Sequence, residues 1–226
     1  MMTDLFKAQP IKGMRIGLFG GSFNPVHKGH FALAKCALTR LQLDYVWWMV
    51  SPQNPLKPRH ETSDFNQRLA QVRQIARHPR FVVTDIESRL QTTTTAQTLK
   101  QLQPVFDQAH FVWLMGADSF AGLHHWNDWQ AIPQNLPIAV FDRPGWTTKS
   151  LACTAAKCLK PRQFSNEKIA LLPFANTPAW GFVSMPQRPE NSTALRSKRV
   201  SQKHALGLDP GVAPVLGSKT RVKTMA

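Results

Sequence analysis

GLFGGSFNPVHKGHFALA, residues 17–34, sets glycines, a proline and two histidines between a short apolar run and a helix-like stretch. The run MRIGLFG, residues 14–20, reads as a buried strand, and residues 29–43 carry Phe31, Leu33, Ala34, Ala37, Leu38 and Leu41 at helical spacing. A strand, a glycine turn and a helix open an α/β fold. Gly20, Gly21 and Ser22 occupy the turn, where exposed backbone N–H groups and the positive end of the next helix favour an anion. His27 and His30 fall in the first turn of that helix, and a separation of three places both on one face. Gly29 between them lets a nucleotide lie close to the backbone.

Spacing excludes two common nucleotide motifs. The chain has no GxxxxGK(S/T), and FGGSFNP does not fit GxGxxG, so neither a P-loop nor a dinucleotide fingerprint is present.

The α/β pattern continues beyond the first unit. Strands are expected over residues 45–50 (YVWWMV), 81–84, 111–115 (FVWLM) and 137–141, with helices over residues 65–76, 94–102 and, in short form, 126–132. Alternation of this kind implies a Rossmann-like open parallel sheet with helices on both faces. Further on, a helix broken at Pro161 is expected within residues 151–170, then strands near residues 169–172 and 181–184. Residues 200–226 show no sustained period and read as a basic tail behind a domain spanning residues 1–199.

Composition narrows the function. With 226 residues and 42% hydrophobic content the chain can bury a core, and a net charge of +15 points either to a polyanionic partner such as a nucleotide triphosphate or nucleic acid or to a solvated basic tail that keeps the protein soluble. Seven tryptophans could stack on bases, yet most sit in expected strands and do not interleave with lysines and arginines, which argues against nucleic acid as the specific partner. Three cysteines without CxxC spacing, no apolar run of membrane length and no secretory leader point to a cytoplasmic, thiol-reduced protein with no membrane association. His124 and His125 are expected to point apart on a helix and to hold no metal.

The stretch from Gly20 to His30 resembles the signature of the nucleotidylyltransferase superfamily, a turn of the form G-(G/S)-(S/T)-F-(D/N)-P followed by H-x-G-H. Within it, the chain looks most like the bacterial nicotinate-nucleotide adenylyltransferases. TTTTAQTLKQL (residues 92–102) is similar to their S-Y-T-x-x-T-L segment, WLMGADSFAGLHHWNDW (residues 113–129) to I-G-x-D-S-L…W, and FDRPGW (residues 141–146) to R-R-P-G-(Y/W). NSTALR (residues 191–196) is similar to I-S-(S/A)-T-x-(I/L)-R. Asn191 and Asn127 depart from the residues common there, and the chain lacks the V-P-x-x-V-x-x-Y-I-like end.

The resemblance implies transfer of an adenylyl group from ATP, accompanied by Mg2+, to nicotinate mononucleotide, in a protein that can form a homo-oligomer. It implies that His27, His30, Lys57 and Arg196 act on the phosphates, and that Gly20, Gly21, Ser22, Gly29, Gly116, Asp118, Ser192 and Thr193 bind ATP. Phe23, Asn24, Thr95, Trp126 and Arg143 would face the mononucleotide, Trp126 stacking on the pyridine ring and Thr95 lying near its carboxylate. Phosphopantetheine and nicotinamide mononucleotide are the alternative acceptors.

Overall fold

The apolar runs form the centre of the molecule in a computed structural model, which describes residues 12–52, 63–106, 108–186 and 192. The strands are β1 (Arg15–Gly21), β2 (Tyr45–Val50), β3 (Phe81–Thr84), β4 (His110–Gly116), β5 (Ile138–Phe141), β6 (Gln163–Phe164) and β7 (Trp180–Val183). They pair in parallel in one sheet of order β3-β2-β1-β4-β5-β7-β6. Strand order therefore reverses between β1 and β4, and in open α/β sheets ligands bind beyond the carboxyl ends of the strands at such a switch point. That is the position of the glycine turn.

Among the described residues eight α-helices connect and flank the strands: α1 (Lys28–Arg40), α2 (Phe65–Ile75), α3 (Ile86–Arg89), α4 (Thr95–Leu102), α5 (Ala117–Ala121), α6 (Ala131–Asn135), α7 (Thr147–Leu151) and α8 (Thr154–Leu159). Both faces of the sheet are covered, which is why β2 and, beyond His110, β4 are apolar instead of alternating. On one face Val46, Trp48 and Val50 of β2 pack with Leu33 and Leu38 of α1 and Leu69 and Val72 of α2. On the other, Trp47 and Met49 pack with Leu99 and Leu102 of α4, and Phe120 of α5 stacks on Trp180 at 5.0 Å. Trp47, Trp48, Trp113 and Trp180 are all fully buried, so these four cannot stack on nucleic-acid bases.

Three expectations need correction. Residues 169–172 form no strand; Ile169–Phe174 is a 3-10 helix, with Ile169 and Leu172 buried and Leu171 and Phe174 exposed, the period of three that this helix imposes. Trp126 does not begin a helix either. A 3-10 turn, Leu123–His125, ends at an extended Trp126, and α6 starts at Ala131. Finally, within residues 151–170 the expected helix is only α8, capped by the Cys153 sulfur accepting from the Ala156 N–H, and no helix resumes directly after Pro161: a 3-10 turn, Lys160–Arg162, leads into β6. The proposed tail, residues 200–226, lies outside the described residues. Among the described residues no helix is long and apolar enough to cross a membrane.

Candidate active site

The turn between β1 and α1 is held by its own two histidines. His27 is the N-cap of α1, and its Nδ1 accepts the Gly29 N–H at 3.2 Å. The Nδ1 of His30 reaches back and accepts the His27 N–H, also at 3.2 Å. This reciprocal cap satisfies donors that a helix start would otherwise leave unpaired. It also fixes the tautomer: with each Nδ1 accepting, the proton of each neutral ring sits on Nε2. The two rings lie side by side, centroids 3.8 Å apart. Burial above all, then the neighbouring His27 and Arg143, holds the His30 pKa well below the ordinary imidazole value, so the ring is neutral at physiological pH.

Phe23 and Asn24 build the floor of this turn. Phe23 adopts a left-handed φ of 45° and is 3% exposed, its ring set edge-on to His30 at 5.2 Å and to Phe19 at 5.3 Å. Asn24 is buried, precedes a cis peptide to Pro25, and accepts the Ser63 N–H at 3.5 Å. Both therefore support the turn from beneath.

Arg143, two residues past β5, runs between the first turn of α1 and the end of β4. A Cβ on Gly29 would lie 3.2 Å from Arg143 Nη1 and 2.9 Å from His27 Nδ1, and one on Gly116 would lie 3.0 Å from Arg143 Nε. Gly29 thus makes room for a protein cation and an imidazole. Asp118, in the first turn of α5, stands 3.9 Å from Arg143 Nε and is 45% exposed, a loose pairing at the rim. Gly20 has a packing cause too: a Cβ there would overlap the indole of Trp113. A Cβ on Gly21 would press on the Phe23 ring at 3.2 Å.

The switch point therefore gathers Gly20, Gly21, Ser22, His27, Gly29 and His30 from the β1 side, and Gly116, Asp118 and Arg143 from the β4 and β5 side. Ser192 joins them, its Oγ donating to the Pro25 carbonyl at 2.9 Å. Thr95 is the first residue of α4, behind an N-cap Thr94 that accepts the Gln97 N–H, and is half-buried. Trp126 is half-buried against the core on that same face of the sheet. Lys57, Thr193 and Arg196 lie outside the described residues. His124 and His125, on the 3-10 turn, do not point apart: their ring centroids are 3.8 Å from each other. Among the described residues no three His, Cys, Asp or Glu side chains cluster to hold a metal ion.

Two buried ionisable residues were missed in the sequence. Arg68 is 1% exposed and donates to four backbone carbonyls beneath the turn. Its signal was an arginine on the apolar stripe of α2, beside Leu69 and one turn before Val72. Glu87, 7% exposed, is hydrogen-bonded to the Ser51 side chain, and burial pushes its carboxyl up.

Strand order, a helix-capping histidine pair and a cation at the switch point define a nucleotide-binding transferase fold, and the chain belongs to the cytidylyltransferase-like family, whose model matches residues 18–196. Among curated proteins, the "probable nicotinate-nucleotide adenylyltransferase" of Parvibaculum lavamentivorans is 45% identical over 82% of this chain and 92% of its own length. The protein of the same name from Rhizobium meliloti is 44% identical over 82% of this chain and 99% of its own. Among solved structures, the nicotinic acid mononucleotide adenylyltransferase of Plasmodium falciparum complexed with NaAD shares the fold, with a TM-score of 0.60 at 16% identity over 81% of this chain and 83% of that one.

Proposed function

We propose that this pocket transfers the adenylyl group of ATP to nicotinate mononucleotide, giving nicotinate adenine dinucleotide and pyrophosphate in NAD biosynthesis. The observation that carries the reading is the histidine pair: both rings are locked in the tautomer that leaves Nε2–H as donor, beside Arg143, at the carboxyl ends of β1 and β4. The curated relatives that span most of this chain bear the name of that activity.

An oxygen of the mononucleotide phosphate attacks the α-phosphorus in line. The new P–O bond forms as the bond to the bridging oxygen breaks, and pyrophosphate carries the electron pair away. No covalent enzyme intermediate is needed, so positioning and charge stabilisation account for the acceleration. His27 and His30 donate Nε2–H to phosphoryl oxygens as charge grows on them, and the His30 ring, held neutral by burial, brings no ion of its own into the pocket. Arg143 supplies the full positive charge between the two substrates. Phosphate-binding roles are assigned also to Lys57, Thr193 and Arg196, and to Ser192. Backbone at Gly20, Gly21, Ser22 and Gly116 receives ATP, and Asp118 its ribose or base. Phe23 and Asn24 act by shaping the turn. On the mononucleotide side, Trp126 stacks on the pyridine, and the unpaired N–H groups opening α4 at Thr95 receive the nicotinate carboxylate. An amide in its place would oppose N–H to N–H, the source of selectivity for the acid. Magnesium would come with the triphosphate, its ligands phosphate oxygens and water, and would offset the charge of those oxygens. The setting is the cytoplasm, where ATP is at hand.

Initial rates with ATP and each of nicotinate mononucleotide, nicotinamide mononucleotide and phosphopantetheine, with and without magnesium, test the reading. The acid mononucleotide with magnesium should be fastest. Turnover of phosphopantetheine alone overturns the assignment.

A further inference from the structure

Arg68 has no part in the chemistry just described, yet it is the most deeply buried charged side chain among the described residues. Its Nη1 donates to Ser22 O and to Ser51 O, both at 2.7 Å; Nη2 donates to Pro52 O at 2.8 Å, and Nε to Ser63 O at 2.9 Å. Those carbonyls come from three places: the glycine turn after β1, the end of β2, and the residue that precedes the Asp64 cap of α2. One guanidinium therefore ties the turn to its neighbours. Below it the Phe65 ring lies 5.6 Å from the guanidinium carbon. No described carboxylate is within ion-pair distance; Asp64 acts from farther off, its Oδ1 engaged by the Gln67 N–H. Ser22, which Arg68 grips, directly precedes Phe23, whose ring is set against His30. Moving the Ser22 carbonyl moves Phe23, and with it the seat of the imidazole.

We propose that Arg68 is a positioning residue for adenylyl transfer, fixing the Ser22 carbonyl and through Phe23 the imidazole of His30 while never touching substrate. The inference rests on the adenylyl-transfer reading of the pocket. Lysine is not an equivalent: it keeps the charge but has three N–H groups on a rotating point, against the fixed fork that serves four carbonyls here.

In Arg68→Lys that is folded by circular dichroism, kcat should fall about a hundredfold, as expected of a reacting constellation displaced by about 1 Å, with each KM within about threefold of wild type. In a His30→Ala background the same change should cost less than about threefold, because the group it positions is gone. Losses that multiply in the double variant, or a folded Arg68→Lys with wild-type kcat, overturn the proposal. The His30 imidazole nitrogen resonances give a readout independent of turnover: they should shift in Arg68→Lys and stay in place in Arg73→Lys, a change on an exposed position of the same helix. If the wild-type protein forms no dinucleotide, the functional reading fails, and these resonances alone decide for Arg68; an unshifted His30 overturns it. Should Arg68→Lys not fold, Phe65→Leu, which removes the ring beneath the guanidinium and leaves its acceptors, should lower kcat about threefold and shift the same resonances. No change in either overturns the proposal.

Discussion

The two ends of the parallel sheet treat charge in opposite ways. At the amino end, Arg15 and Asp44 close on each other: the Arg15 backbone N–H donates to Asp44 Oδ2 at 2.8 Å, its Nε to the same oxygen at 3.2 Å and its Nη2 to Oδ1 at 3.1 Å. The hydrogen bond from the Arg15 side chain, more than any other contact, holds the Asp44 carboxyl below the usual carboxylate range. At the carboxyl end, Arg68 meets only carbonyls, Arg143 has Asp118 at 3.9 Å, and His30 is kept neutral by burial above all, then by the neighbouring His27 and Arg143. At the amino end a guanidinium and a carboxylate meet directly, and at the carboxyl end the described arginines have no such close carboxylate partner. A sheet with every strand parallel makes that division possible, since all its carboxyl ends open on one side.

Removing His30 should break the comparison hardest. His30→Ala should cut dinucleotide formation by about 10²–10³ in kcat, leaving a residual rate, while circular dichroism reports an intact fold. Near wild-type turnover in that variant would take the chemistry away from the upper end. Next comes Arg143→Met, for which kcat/KM should fall about tenfold to a hundredfold, a few kcal/mol of lost charge-assisted hydrogen bonding. Because Arg143 is one cause of the low His30 pKa, the imidazole should titrate at higher pH in this variant, as an NMR titration would show. The sign for stability follows from the same shift. His30 accepts a proton less readily folded than unfolded, so stability is complete above the unfolded value of about 6.5 and is lost as pH falls toward the folded one. A urea midpoint that stays flat on acidification through that window contradicts the assignment.

Perturbing the lower end should leave catalysis alone. Asp44→Asn should lower stability by no more than about 1 kcal/mol, since the pair is about a third exposed and solvent screens it, and kcat should not change. Its carboxyl titrates low when folded, so the contribution holds at neutral pH and is lost as pH falls through the folded value. A rate loss in Asp44→Asn comparable to that of Arg143→Met would erase the distinction between the ends. Smallest is Glu87→Gln. Burial raises the Glu87 carboxyl, so any stability it lends is present at low pH and is lost as pH rises through the folded value. Denaturant midpoints should place the variant level with or above wild type at about pH 7.5 and without that advantage near pH 4.

The fold was legible because its signals are local and redundant. YVWWMV and FVWLM are apolar on every residue, the mark of strands covered on both faces, and the expected bounds of β2 and β3 coincide with the observed ones. The histidine pair was legible for a related reason: spacing of three on one helix turn is visible in one dimension. Other features depend on neighbours distant in the chain. Gly20 is required by Trp113, and Gly29 by Arg143, contacts that no local pattern announces. Arg68 looked like one more basic residue among many, since its partners are backbone carbonyls, which any residue provides. The short apolar stretch at Ile169 was ambiguous between periods of two and three, and burial decided for three.

The hydrogen bond from Ser192 to the Pro25 carbonyl joins residues 167 positions apart. During synthesis the turn emerges early, and this partner follows only after roughly 10–30 seconds at ordinary elongation rates. A nascent chain still short of Ser192 can form its first βα unit but lacks this last brace on the turn. Completion of the pocket is thus timed by the ribosome, and a chain cut before that serine leaves the turn one tether short.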